Sequence, residues 1–277
     1  MKAMKRMKYF ICALALLLSV LPHATAEETA WDTPCISAPY AYTYQDDQRS
    51  IVISQISWDQ SVGYVADVQL KSAADFHAGS AGGGFAPLSS MAAEAGAVLA
   101  VNADDYATHK YGVIIRDGQT LRIHDTTRHT LAFLPDGSVK MIGDPTAVNP
   151  SALAKELESE NVTHTFAFGP VLVENGAAAA FPKSFDVIST RSSRREPRTA
   201  LGVISPLHYV IVVIDGRQPG HSDGVSLQSL QQLFLQLEVD SAINLDGGGA
   251  TEMWFQGQIL NQPAGGKERS LSDCIWF

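Results

Sequence analysis

Cations are scarce in this 277-residue chain: 20 Lys and Arg stand against 29 Asp and Glu, for a formal net charge of -9. A nucleic-acid binder needs basic surface to meet the phosphate backbone, so the balance argues against that class. Cysteine is scarcer still. Of the three, Cys12 falls in an N-terminal apolar run, which leaves Cys35 and Cys274 near opposite ends of the remainder. In an oxidising compartment these two can close one disulfide around nearly the whole chain; two buried free thiols are the alternative. There is no internal repeat of 20 to 50 residues, no HExxH and no paired histidine spacing, which disfavours solenoids and zinc sites. No apolar run reaches the roughly 20 residues needed to cross a bilayer.

What is present begins with a leader pattern. Lys2, Lys5, Arg6 and Lys8 precede the apolar run from Phe10 to Leu21, and Ala24 and Ala26 supply small side chains for cleavage. The expectation is export to the cell envelope or beyond, with cleavage near Ala26 and no stable membrane insertion afterwards. Removing the leader takes four cations with it and leaves the chain more acidic. At 45% hydrophobic and 18% charged residues the rest is ordinary globular sequence. Its length suits about one or two domains. We divide it into N-terminal strands over 27–85 and a main domain over 86–277; no residue pattern fixes an oligomeric state.

Strand signals dominate. Ile51 to Ile56 and Val62 to Leu70 alternate in part, and Ala97 to Val101 is a short buried run after a helical stretch from Leu88 to Ala95. Asp117-Gly118 and Asp136-Gly137 each sit between two apolar runs, the mark of a hairpin. Pro150 to Glu160 reads as a surface helix, and residues 183 to 197, basic and aperiodic, as a loop or lid. In the last third, His208 to Ile214 reads as a strand, Ser226 caps a helix to about Leu237, and Ala242 to Leu245 returns to strand. The expected fold is α+β: a mixed sheet with a C-terminal βαβ unit and helices packed on the sheet, with Asp215 and Asp246 at the carboxyl ends of two parallel strands.

The richest segment for chemistry is Asn244-Leu245-Asp246-Gly247-Gly248-Gly249-Ala250-Thr251. Three glycines after a buried strand free the backbone to turn its amides on an oxyanion, with Asp246 in the same mouth. No Lys follows as a P-loop demands, so a nucleotide site is disfavoured. Asp215-Gly216-Arg217 would bring a second carboxylate and a guanidinium beside it, and paired carboxylates can separate acid from base or nucleophile. Asn102-Ala103-Asp104-Asp105-Tyr106 is an abrupt polar cluster after a buried run. Its oxygens make Ca²⁺ the one conceivable metal, although the spacing is not an EF-hand and no cofactor is expected. Arg198, Thr199, Asn261 and Arg269 offer further hydrogen bonds to a sugar or phosphate. Gly220-His221-Ser222-Asp223-Gly224 spells the GxSxG of serine hydrolases. Ser222 is nonetheless a weak nucleophile candidate, because several residues separate it from the strand and no later histidine exists.

In this order the segments resemble the phosphodiester glycosidase family over roughly residues 86 to 277. The resemblance rests on NADDY at 102–106, FGPVLVENG at 168–176, PRTALG at 197–202, DGR at 215–217, NLDGGGATEMWFQGQILNQP at 244–263 and ERSLSD at 268–273. Members usually carry Ser after the three glycines, where this chain has Ala250 and Thr251, and often Gly at the position of Ala103. The resemblance implies hydrolysis of a glycosyl phosphodiester in a glycan or envelope polysaccharide. Asp215, Asp246 or Glu252 would supply the carboxylate that an oxocarbenium-like transition state needs. Asn102, Asp104, Arg198, Thr199, Arg217, Gly247, Gly248, Gly249, Thr251, Asn261 and Arg269 would hold sugar and phosphate. A noncatalytic binder of phosphorylated glycan, or an exopolysaccharide accessory protein, is the competing class.

Overall fold

The computed structural model describes residues 35–36, 41–58, 60–80, 84–125, 128–142, 148–181 and 193–277. The leader and most of the basic loop expected at 183–197 lie outside the described residues. Residues 33–277 gather into one compact unit.

Its backbone is a large antiparallel sheet. β1 (Arg49–Trp58) and β2 (Ser61–Leu70) form a ten-residue hairpin. Three more strands follow from the sequence: β3 (Leu99–Asn102), then β4 (Val113–Arg116) with β5 (Gln119–Ile123). The β4–β5 turn has Asp117 at φ 50° and Gly118 at φ 72°, the left-handed pair that an Asp-Gly hairpin requires. β6 (Thr130–Phe133), β7 (Val139–Ile142) and β8 (His164–Ala167) make a three-stranded sheet with β6 central. The C-terminal half adds β9 (Val171–Glu174), β10 (Arg198–Ser205), β11 (His208–Ile214), β12 (Ser241–Asn244), β13 (Met253–Phe255) and β14 (Cys274–Trp276).

The large sheet runs β1-β2-β11-β10-β12-β9, with Tyr42–Gln45 added on β1. Seven residue pairs join β2 to β11, so the N-terminal strands share this sheet. β13, β3 and β14 form a second sheet with β3 in the middle. The two sheets enclose a common core in which Ile51, Val68, Leu201 and Ile211 meet Leu99, Met253 and Ile275, while Phe133 and Phe166 enter from the three-stranded sheet.

Two sequence expectations change here. Every strand pairing among the described residues is antiparallel, so the sheet is not mixed. The strand-helix-strand order of β11, a helix (Leu227–Gln236) and β12 is present, but β10 lies between the two strands and pairs with both, so they are parallel at one strand's remove. The hydrophobic period fixed the elements; it carried no information on which strand inserts between them.

Three helices dress the sheets: α1 (Leu88–Ala95), α2 (Pro150–Ser159) and α3 (Leu227–Gln236). Asn149 Oδ1 accepts from the Ser151 and Ala152 amides to cap α2, and Ser226 Oγ accepts from the Ser229 amide at 3.0 Å to cap α3. α3 presses Phe234 onto β10 at Gly202, where a Cβ would come within 2.7 Å of the ring; only glycine fits beneath the helix.

The disulfide expectation is also corrected. Cys274 is a buried free thiol on β14, packed with Leu88, Met91, Trp254 and Leu271 under α1. Cys35 begins a two-residue strand paired with β1, in the other sheet.

Candidate active site

Strand ends converge at one edge of the two sheets. Ile214 of β11 lies opposite Arg198 of β10, the Leu245 amide donates to Thr199 O, and the Asp246 amide donates to Ala103 O across the gap to β3. Asn102, at the end of β3, fastens the junction with one side chain. Its Nδ2 donates to Asp246 O at 2.7 Å, and its Oδ1 accepts from Thr199 Oγ1 at 2.6 Å and from the Glu252 amide at 3.2 Å. Asn102 and Thr199 are thus buried scaffolding for the glycine loop.

The loop itself needs its glycines for contact as well as conformation. A Cβ on Gly247 would lie 2.7 Å from Pro197 O; one on Gly248, at φ 63°, would lie 3.1 Å from Arg217 Nη2. The expected amide nest is narrower than three glycines suggest. The Gly248 amide donates to Pro197 O, the Ala250 amide to Gly247 O and the Thr251 amide to Gly248 O, so at most Gly247 and Gly249 remain for an anion. Arg217 and Arg269 flank the turn, Arg217 against Gly248 and the Arg269 stem 3.9 Å from a Cβ on Gly249. Arg217 Nε also donates to Glu196 at 2.5 Å. Arg198 lies alongside, its Nε donating to Val225 O and its Nη2 to Arg194 O, which ties the neighbouring loops together.

Three buried oxygens on this loop lack a hydrogen-bond partner: Asp246 Oδ2, Thr251 Oγ1 and Glu252 Oε2. Glu252 Oε1 accepts from the Arg269 amide at 2.8 Å. Burial pushes the Glu252 carboxyl up to about 8, against the Arg269 amide, which pulls the other way. At neutral pH the group is therefore mostly protonated and a potential donor. Ala250 is wholly buried against α1, so its methyl group does not line the mouth.

Asp215 behaves differently. Its carboxylate is buried and saturated: Oδ1 accepts from Asn261 Nδ2 at 2.9 Å, the Gln262 amide approaches both oxygens, and Oδ2 pairs with His221 Nε2 at 2.9 Å. Asn261 in turn donates to Thr251 O and accepts from the Met253 amide, so Asp215 is coupled to the far side of the glycine loop through a buried amide.

Adjacent residues of the 102–106 cluster part company. Asp104 is sealed in a triad in which Arg116 Nη2 donates to Asp104 at 2.7 Å and to Asp273 at 2.8 Å; Asp104 also accepts from the Ala167 amide. The ligand role expected of Asp104 is corrected: its charge neutralises a buried arginine. Burial, with Asp104 second, pushes Asp273 up to about 8. Asp105, at φ 45°, turns to the mouth, where its carboxylate, His109 and Asp246 offer ligand atoms all within 4.8 Å of one another. His109 Nε2 lies 3.7 Å from Asp246 Oδ1. One imidazole and two carboxylates form a donor set that a divalent cation can use.

Sequence reading missed Arg128 altogether. It is 9% exposed, with its guanidinium 5.0 Å from the Tyr111 ring centre and 5.1 Å from that of Phe168. Burial lowers its pKa, while the charges of Tyr111 and Asp246 oppose that shift. His109 touches the same Phe168 ring edge-on at 5.3 Å. No local signal marks Arg128; its place follows from the segment that leads into β6. The serine-hydrolase alternative is overturned, since Ser222 is buried with its Oγ donating to Asp215 O at 2.7 Å and accepting from the Val62 amide. His221, which that motif also contains, is the part that touches the site.

Residues 95–277 match the model of the phosphodiester glycosidase family. The SPbeta prophage-derived uncharacterized protein YomE of Bacillus subtilis is 30% identical over 193 residues, covering 67% of this chain and 28% of that protein. The chain thus spans little more than a quarter of that relative's length. Among solved structures, the zebrafish N-acetylglucosamine-1-phosphodiester alpha-N-acetylglucosaminidase catalytic domain, auto-inhibited by its pro-peptide, superposes with a TM-score of 0.66 at 17% identity, over 90% of this chain and 88% of that one. A hypothetical protein from Synechocystis gives a TM-score of 0.66 at 14% identity, over 87% and 64%. A putative exported protein from Burkholderia pseudomallei gives 0.53 at 14%, over 78% and 73%. These structures share the fold.

Proposed function

This chain belongs to the phosphodiester glycosidase family, and on that premise we propose that it hydrolyses a sugar-1-phosphodiester in a glycan or envelope polysaccharide. The bond between the anomeric carbon and the phosphodiester oxygen breaks, and water supplies the hydroxyl of the free sugar and the proton balance of the phosphate monoester. The observation that carries this reading is Asp246: a buried carboxylate with Oδ2 unpartnered, set beside a glycine turn that Arg217 and Arg269 flank.

In this mechanism Asp246 opposes the positive charge that develops at the anomeric carbon, in a site where low polarity strengthens the interaction. The arginines and the remaining loop amides take up the charge that collects on the departing phosphate. Phosphate leaves with little help from an acid, so Glu252, which holds its proton at neutral pH, has a secondary part. Asp215 acts at one remove, by holding His221 and Asn261. Export, read from the leader pattern of residues 1–26, belongs to the same proposal and suits an envelope glycan as substrate.

The test is incubation of the purified chain with a phosphodiester of N-acetylglucosamine and related sugar-1-phosphodiesters, with release of free sugar as the readout. We expect turnover that Asp246→Asn and Arg269→Ala each reduce by about 100-fold or more. Saturable binding with no product across the set would replace the enzyme reading with that of a glycan-binding module.

A further inference from the structure

We propose that Arg128 receives the phosphoryl oxygens of the substrate, held for that purpose between Tyr111 and Phe168. The inference rests on the phosphodiester reading and names the residue by which the anion would be recognised. Of the other arginines near this edge, Arg217 and Arg269 flank the glycine turn, and three have work inside the protein. Arg116 is spent on Asp104 and Asp273; Arg122 donates to the carbonyls of Tyr106, His109 and Tyr111; Arg198 ties down Val225 and Arg194. Arg128 donates no hydrogen bond and forms no ion pair within hydrogen-bonding distance among the described residues, although it is nine-tenths buried.

A buried guanidinium without a fixed acceptor is costly, and the cost is offset when an anion arrives. The two ring faces hold the group by cation–π contact and limit its rotation. A planar fork held in this way matches two oxygens of a phosphate. The same Phe168 ring carries His109, which sits 3.7 Å from Asp246 Oδ1. A phosphate on Arg128 would therefore lie on the side of the mouth where Asp246 presents its carboxylate, next to the bond that breaks. Tyr111, 37% exposed, forms the outer wall of the clamp.

Inorganic phosphate, titrated into the full chain and followed by calorimetry, tests the assignment without requiring turnover. We expect saturable binding that Arg128→Met weakens at least tenfold and that Asp246→Asn tightens several-fold by removing a like charge. Tyr111→Ala, at the exposed rim where folding is least at risk, should weaken phosphate several-fold by releasing one side of the clamp. Unchanged affinity in both Arg128→Met and Tyr111→Ala, or no saturable phosphate binding by the unaltered chain, overturns the inference. If Arg128→Met does not fold, unchanged affinity in Tyr111→Ala alone does so. Glucuronate binding more tightly than phosphate overturns the choice of ligand. Sugar release in parallel separates the two readings: phosphate held through Arg128 without turnover sinks the enzyme and spares the site, whereas turnover with Arg128→Met at normal KM sinks the site and spares the enzyme.

Discussion

Asn102 Nδ2 donates to the backbone carbonyl of Asp246 at 2.7 Å, and through this bond a strand end in one sheet sets the position of the carboxylate that ends a strand in the other. The same side chain engages Thr199 and Glu252, so it governs the loop without facing the mouth.

Replacing it with alanine strands the Thr199 hydroxyl and the Glu252 amide in a buried place. Asn102→Ala should destabilise the fold by about 2–4 kcal/mol and lower kcat far more than it raises KM. Steady-state kinetics on a sugar phosphodiester, with urea denaturation alongside, check both parts; a normal kcat would separate Asn102 from the site.

Glu252 makes stability depend on pH. Its carboxyl binds a proton near pH 8 in the folded chain and near 4.5 when free. The stabilising contribution is complete below about 4.5 and is lost as pH rises through 8. Glu252→Gln lacks this loss, so its stability relative to the parent should improve by a few kcal/mol between pH 5 and 9. Melting curves at three pH values show it; parallel pH profiles for the two proteins would refute it.

The Asp104–Arg116–Asp273 triad places one cation between two sealed acids. Arg116→Met leaves the Asp104 charge without its cation and should cost about 3–5 kcal/mol, measured by denaturant midpoint. Asp273→Asn, which leaves one acid to the arginine, should cost clearly less.

Ser222 fastens Val62 to the end of β11. Ser222→Ala should retain sugar release within about twofold and lose on the order of 1 kcal/mol of stability. Covalent labelling of the parent protein at Ser222 by a fluorophosphonate would contradict this.

Cys274 should resist a thiol reagent in the native protein and react after unfolding, because burial both shields it and pushes its pKa up. Reduction should leave the melting temperature unchanged. A Cys35–Cys274 peptide in an unreduced digest is the opposing result.

Local chemistry was readable without coordinates wherever neighbours in the chain suffice. Asp117-Gly118 fixes its hairpin, Ser226 caps its helix, and three glycines after Leu245 announce a turn that bare backbone must make. Family membership and Asp246 follow from such ordered segments. Tertiary structure decided what distance along the chain hides: the insertion of β10 between β11 and β12, the free state of Cys274, and the arrival of Arg128 on the Phe168 ring that His109 also touches. It also divided Asp104 from Asp105, one buried on Arg116 and the other turned to His109. Two adjacent carboxylates look alike in sequence; backbone direction at the end of a strand sends them to opposite surroundings, and only the packing of remote segments supplies those surroundings.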